Sequence, residues 1–314
     1  MLIAAIIIAV IIILALLLAY ELFKVCCARE TSPIAKMVVK VAMPENAGLA
    51  EASKRGYEFW NNAKLEEVNI TSRDGLKLHG YYYRHESAKR AIILVHGYRG
   101  TGVSNFSAVF PFYAEDNCDM LVIDQRCAGK SEGKYITFGI TERYDAADWA
   151  KWLSQRRPDI PIYFDGISMG AATVLGASDL ELPKNMAGII ADSGFTTPTE
   201  ILRHVIKTYI PLPVFPTLNL IGLMFRIFTG HSLKELDCRE CVRNTTIPIS
   251  FAHGKKDRFV PYTMCEENYA ACASDKMVFY SENAEHGMSF IENQDELLAE
   301  LMNFFAKNDN LSEV

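Results

Sequence analysis

A serine at 168, an aspartate at 257 and a histidine at 286 follow one another along this sequence. Those residue types can together cleave an acyl bond, as a nucleophile, an orienting carboxylate and a base. The serine sits in Gly166-Ile167-Ser168-Met169-Gly170, after the apolar run Ile162-Tyr163-Phe164 and before Ala171 and Ala172. A structural turn needs one glycine and does not call for small residues on both sides of a serine. Glycines two before and two after let a strand and a helix approach without Cβ clashes and leave the hydroxyl exposed on a sharp turn. This context predicts Ser168 as the nucleophile.

A serine hydroxyl needs a base within hydrogen-bond reach, and seven histidines compete for that role. His79 and His85 lie in an early hairpin, His204 and His231 in a proline-punctuated segment, and His96 and His253 end strands just before a glycine. His286, in Ser281-Glu282-Asn283-Ala284-Glu285-His286-Gly287, lies in the loop between the last strand and the last helix, from which a base can swing over the edge of a sheet. His286 is the predicted base. For the acid, Asp257 follows a buried strand in His253-Gly254-Lys255-Lys256-Asp257, and Asp192 in Ala191-Asp192-Ser193-Gly194 competes with it. Asp257 is preferred, because Asp192 is placed to hold the loop that launches the next segment. Acyl transfer also needs donors aimed at the developing oxyanion. The backbone N–H of Met169, at the helix start, and that of Tyr98, in His96-Gly97-Tyr98-Arg99-Gly100, are the predicted pair.

These residues need a scaffold. The run from Arg90 to Val95 is short, continuous and apolar, as in a strand buried on both faces. From there strand-like and helix-like segments alternate, with helices expected near 140–155, from Ser168, near 262–273 and near 293–307. Two earlier strands flank Arg73-Asp74-Gly75 as a tight turn. The expectation is an α/β fold with a mostly parallel sheet and helices on both faces. Residues 195–242 interrupt the alternation with four prolines (198, 211, 213, 216) and many large apolar side chains. They are read as a helical lid over the carboxyl edge of the sheet, where ligands bind in open α/β folds, with Phe215, Leu220, Met224 and Phe228 expected to touch substrate.

The N-terminus has a different character. Leu2–Tyr20 is 19 residues without a charge, about 28 Å as a helix, close to the hydrocarbon thickness of a bilayer. Nothing basic precedes Leu2 and no small-x-small site follows the run, so an uncleaved single-pass anchor is expected rather than a signal peptide. Lys24, Arg29, Lys36 and Lys40 follow it, which places the bulk of the chain on the cytoplasmic side by the positive-inside rule. The expected organisation is an anchor (1–22), a helical connector broken at Pro44 (23–64), a catalytic domain (65–307) with its lid, and a tail (308–314). A net charge of −6 without a basic, aromatic-interleaved stripe argues against a nucleic-acid partner. Cys238 and Cys241 have zinc-like spacing, but no second matching pair accompanies them, so no metal is expected.

The stretches His96-Gly97-Tyr98-Arg99-Gly100, Asp124–Gly133, Gly166–Gly170, His253–Asp257 and Glu285-His286-Gly287, in this order, resemble the α/β-hydrolase superfamily. Within it they are similar to bacterial membrane-anchored serine-aminopeptidase-like and monoglyceride-lipase-like hydrolases. The resemblance implies an eight-stranded sheet, a Ser168-Asp257-His286 triad and no cofactor, but not a substrate. Where relatives carry glycine after the arginine of the second stretch, this chain has Cys127, expected to leave the loop less free to adopt positive φ. The functional expectation is a serine hydrolase acting on a small-molecule ester with an apolar acyl part. A peptidase or amidase on small peptides or aminoacyl groups is the alternative, with Arg203, Lys207 and Arg226 available to hold a carboxylate. A non-catalytic, membrane-tethered binding module on the same fold is the third reading.

Overall fold

The structure is a computed structural model that describes residues 1–30, 32–42 and 47–309. Pro44 and residues 310–314 of the expected tail lie outside the described residues. Three helices come first: α1 (Leu2–Cys27), α2 (Pro33–Ala42) and α3 (Ala47–Asn62). A hairpin of β1 (Leu65–Thr71) and β2 (Lys77–Tyr83) follows, paired antiparallel around the expected turn, where Gly75 takes φ 86°. Next come β3 (Arg90–Val95), α4 (Gly102–Phe106), α5 (Phe110–Glu115), β4 (Cys118–Ile123), α6 (Glu142–Arg156), β5 (Ile162–Ile167), α7 (Met169–Ala177) and β6 (Met186–Asp192). The segment expected as a lid holds α8 (Pro198–Tyr209), α9 (Val214–Thr229) and α10 (Cys238–Asn244). The chain closes with β7 (Ile249–Gly254), α11 (Tyr262–Ala271), β8 (Lys276–Ser281), α12 (Ser289–Glu292) and α13 (Gln294–Asn308).

The eight strands form one sheet in the order β1-β2-β4-β3-β5-β6-β7-β8. It is mixed rather than purely parallel: β2 runs antiparallel to both β1 and β4, and the remaining pairs are parallel. The sequence pattern explains the division. Strands β3, β4, β6 and β7 are buried at every residue, as strands covered on both faces must be. The edge strand β1, Leu-Glu-Glu-Val-Asn-Ile-Thr, buries only Val68. Along β3 the side chains alternate between two cores: Ala91, Ile93 and Val95 join one side of the sheet, and Ile92 and Leu94 the other. Parallel order places the carboxyl ends of β3, β5, β6, β7 and β8 side by side, and the loops leaving these ends carry the residues singled out above.

The end of α1 is built into this domain. The helix runs past Tyr20 to Cys27, and Phe23 and Cys27 are fully buried. Phe23 packs on Tyr135 and Phe228, with ring centroids 5.0 and 5.3 Å away. The chain then pairs with the loop after β4: Ile136 N–H donates to Cys27 O (2.7 Å) and Arg29 N–H to Lys134 O (2.9 Å). The large side chains from Leu2 to Leu14 are exposed.

Candidate active site

The turn at Ser168 is as sharp as its sequence demands. Ser168 takes φ 57°, ψ −118°, a region an L-residue enters only when its surroundings enforce it. Two close approaches provide that enforcement. A Cβ on Gly170 would stand 1.8 Å from Val95 O, and one on Gly166 would stand 2.5 Å from Gly170 O. Only glycine lets β5, α7 and the end of β3 meet this closely. Ser168 N–H donates to Asp192 O (2.8 Å), and its carbonyl accepts the Ala172 N–H (3.1 Å), so both sides of the turn are fastened.

Three predicted residues meet here. His286 Nε2 lies 2.9 Å from Ser168 Oγ, and His286 Nδ1 lies 2.6 Å from Asp257 Oδ2. Asp257 is held from its other oxygen, where Oδ1 accepts the N–H groups of Phe259 and Val260 at 2.8 Å each. The ring of Phe259 meets His286 edge-on at 5.1 Å. Burial alone would raise the Asp257 carboxyl, but the facing His286 and the hydrogen bonds of His253 and His286 hold it well below the usual carboxylate range. Burial likewise opposes the His286 cation; the Asp257 charge and hydrogen bond, with a smaller contribution from Asp192, outweigh it and raise the imidazole above its ordinary value.

Five of the other six histidines have partners of their own. His96 Nε2 accepts the Gln125 N–H (3.0 Å) and its Nδ1–H donates to Gly97 O (2.8 Å), which fixes one tautomer; burial lowers its pKa, so the ring is neutral. His253 Nε2 lies 2.8 Å from Val260 O, a pure acceptor, so this nitrogen carries the proton, and it also reaches Asp257 Oδ2 at 3.1 Å. His204 Nε2–H donates to Arg258 O (2.8 Å), His231 pairs with Glu235, and His79 stands between Asp124 and Glu67. The competing acid Asp192 accepts from Ser193 Oγ (2.9 Å) and Ser289 Oγ (3.2 Å), and Ser193 Oγ accepts the Gly287 N–H (3.3 Å). Asp192 thereby braces the loop that carries His286.

Tyr98 and Met169 face the same small cavity as Ser168, about 70 Å³. The turn bearing Tyr98 is fixed by Asn105 Oδ1, which accepts the Gly97 N–H at 2.7 Å. Among the described residues neither the Tyr98 nor the Met169 N–H donates to another backbone group. Asn105 begins an Asn-x-Ser triplet, a pattern that carries no signal of this inward role.

The cavity wall differs from expectation. Phe215, Leu220, Met224 and Phe228 do not line it; α8 does, through Ile201, Leu202 and Val205. The reason is the rotation of α9, which turns Leu218, Ile221, Met224 and Phe225 into the core and leaves Phe215 77% exposed, with Phe228 against α1. The opposite wall is Val25, Cys26, Ala35 and Val38, which no motif had marked. Ala35 and Val38 share one face of α2 at i, i+3 spacing, the only sequence signal that could have found them. The loop after β4 is a second correction: Cys127 adopts φ 67° despite its side chain. Arg126, paired to Asp74 and Asp145, and the Cys127 N–H to Glu132 O bond (2.9 Å) hold it there.

Residues 86–226 match the family described as serine aminopeptidase, S33. The uncharacterised protein YqkD of Bacillus subtilis is 26% identical over 241 residues, 76% of this chain and 78% of that one. Protein bem46 of Schizosaccharomyces pombe is 22% identical over 227 residues, 70% of each chain. Among solved structures, an esterase of Pyrococcus furiosus superposes with TM-score 0.65 at 23% identity, covering 79% of this chain and 92% of its own. An esterase of Exiguobacterium antarcticum does so with TM-score 0.56 at 18% identity, covering 77% and 100%. The chain has the α/β-hydrolase fold. In this fold the strand–elbow–helix at Ser168 and the loops after β3, β7 and β8 stand at the carboxyl edge of the sheet, where open α/β folds bind their ligands.

Proposed function

We propose that this α/β hydrolase cleaves carboxylic esters with an apolar acyl part, with Ser168 as nucleophile, His286 as general base and acid, and Asp257 as the group that orients His286. The observation that carries the reading is the continuous relay from Asp257 through His286 to a strained Ser168 at the mouth of an apolar cavity. Ser168 Oγ attacks the ester carbon while its proton passes to His286 Nε2. The tetrahedral oxyanion is held by the Tyr98 and Met169 N–H groups. Collapse expels the alcohol, which takes the proton from His286 and leaves an acyl-Ser168. Water then attacks with His286 as base, and the carboxylic acid departs as Ser168 regains its proton.

The matched family description and a structural neighbour that is an acylaminoacyl peptidase of Pyrococcus horikoshii (TM-score 0.60, 15% identity, covering 81% of this chain and 43% of that one) keep peptides and aminoacyl groups as a second reading. The cavity favours the ester: among the described residues its wall holds no acid to receive a substrate amine, and Arg203, Lys207 and Arg226 are exposed rather than turned into it. The proposed setting is a membrane surface, with α1 as a single-pass anchor and the hydrolase domain on the cytoplasmic side. Among the described residues α1 is the one helix long and apolar enough to cross a bilayer. Protease added to intact cells that digests the domain would overturn that orientation.

The test of activity is fluorophosphonate labelling of the detergent-solubilised full chain beside Ser168→Ala, with p-nitrophenyl esters and an aminoacyl p-nitroanilide as substrates. Labelling lost in the variant, with ester turnover above anilide turnover, is expected. A folded wild type that takes no label points instead to the binding module.

A further inference from the structure

We propose that the juxtamembrane segment, from the last turn of α1 through α2, is a wall of the acyl-binding site, so that acyl-chain preference is set in part by residues outside the hydrolase domain. The inference rests on the ester-hydrolase reading above and adds to it where the acyl chain lies and what selects its length.

The cavity at Ser168 has two walls of different origin. One is α8, contributing Ile201 and Val205; the other is Val25 and Cys26 at the end of α1, with Ala35 and Val38 on α2. An acyl carbonyl held between Ser168 Oγ and the N–H groups of Tyr98 and Met169 directs its chain between these walls. All of these wall side chains are apolar, and such a slot takes a linear hydrocarbon chain.

The second wall is not casually placed. Tyr98, whose N–H is the proposed oxyanion donor, uses its hydroxyl to donate to Cys26 O at 2.8 Å. Arg99 Nη2 donates to Val25 O at 3.1 Å, and Arg99 Nε to the Tyr98 hydroxyl at 2.8 Å. The last carbonyls of a helix lack partners within it and carry its negative end, and a guanidinium beside them satisfies both needs. Further along, Arg29 donates to Gly129 O at 2.9 Å and also to Ser131 O. The turn that would hold the oxyanion is therefore fastened directly to the helix end that walls the acyl chain. Ala35 is 4% exposed, so the inner face of α2 is packed rather than resting loosely on the surface.

The experiment uses the full chain in detergent micelles, with Val38→Trp to fill the slot and Val38→Ala to enlarge it. The readout is the ratio of kcat/KM for p-nitrophenyl octanoate to that for the acetate. Changing the hydrocarbon that a pocket accommodates shifts discrimination by about tenfold or more, so the ratio is expected to fall about tenfold in Val38→Trp and to rise in Val38→Ala. Fluorophosphonate labelling at Ser168 in both variants reports that each is folded. Labelled variants whose ratio stays within about twofold of wild type would overturn the inference and leave the hydrolase reading standing. A wild type that takes no label overturns both.

Discussion

Two histidines share one carboxylate oxygen in this protein, and only one of them also reaches Ser168. His286 and His253 both reach Asp257 Oδ2, at 2.6 and 3.1 Å. His253 ends β7, is wholly buried and spends its Nε2–H on Val260 O and Asp257, while its Nδ1 has no hydrogen-bond partner among the described residues. His286 presents Nδ1 to Asp257 and keeps Nε2 for Ser168. Pairing with an acid does not make a base. What separates the two is which nitrogen the acid engages and whether the other nitrogen faces a reacting group.

The largest effect that would sharpen this difference is removal of His286. His286→Ala and Ser168→Ala should each lower kcat by about 10⁴-fold or more, because members of such a relay act as a unit. Asp257→Asn should lower it about 10³- to 10⁴-fold, since the ring loses the acceptor that sets its tautomer. His253→Ala breaks the comparison if it behaves the same way. The expected result is a kcat reduced by less than about tenfold together with a stability loss of about 1–3 kcal/mol, read by urea unfolding, as for a buried hydrogen-bonding group removed.

The pH profile tests the same point from another side. In the proposed mechanism His286 must be neutral to accept the Ser168 proton, and its pKa is raised in the folded protein. kcat/KM should therefore climb through an acid limb centred above the ordinary histidine value of about 6.5. Stability runs the other way: a histidine whose folded pKa is raised stabilises the fold fully below its unfolded pKa, and that contribution disappears as pH rises through the folded pKa. An acid limb at or below about 6.5 would contradict the Asp257–His286 pairing as drawn.

Much of this arrangement was legible in the sequence because short motifs report local backbone. The glycines around Ser168 specify an elbow because a Cβ at either position would fall within 3 Å of a backbone oxygen, and only glycine avoids that clash. A continuous apolar run ahead of a glycine marked β3, and the alternation of segments marked β7 and the rest of the sheet. The rotation of α9 was not legible. Val214–Thr229 is apolar on nearly every side, so its periodicity does not say which face meets the core, and the four residues chosen from it do not reach the cavity. The seat of α1 and α2 beside Ser168 was hidden for another reason. It rests on pairings such as Tyr98 with Cys26, which lie far apart in the chain and use a backbone carbonyl as acceptor. Cys127 shows the limit of residue-type rules: its positive φ is imposed by neighbours and not by its own preference.

The smallest expected effect concerns a carboxylate that lacks what Asp257 has. Asp165, on β5 behind Ser168, is buried as deeply, but its hydrogen bond comes from the Tyr113 hydroxyl (2.6 Å) and, among the described residues, no cation shifts it. Burial dominates there, the Tyr113 bond offsets part of it, nearby Asp192 adds repulsion, and the carboxyl is pushed up to about 7. Equal burial thus moves the two acids in opposite directions, and the partner decides the sign. A carboxyl with a raised folded pKa binds more protons folded than unfolded between about pH 4 and 7, so it subtracts stability as pH rises across that window. Asp165→Asn removes the charge and keeps an acceptor for Tyr113. Its Tm relative to wild type should be higher at pH 8 than at pH 5, while Asp257→Asn should show no such gain. Equal Tm differences for Asp165→Asn at both pH values would mean that solvent or an unassigned donor already neutralises Asp165, and that burial is not what distinguishes it from Asp257.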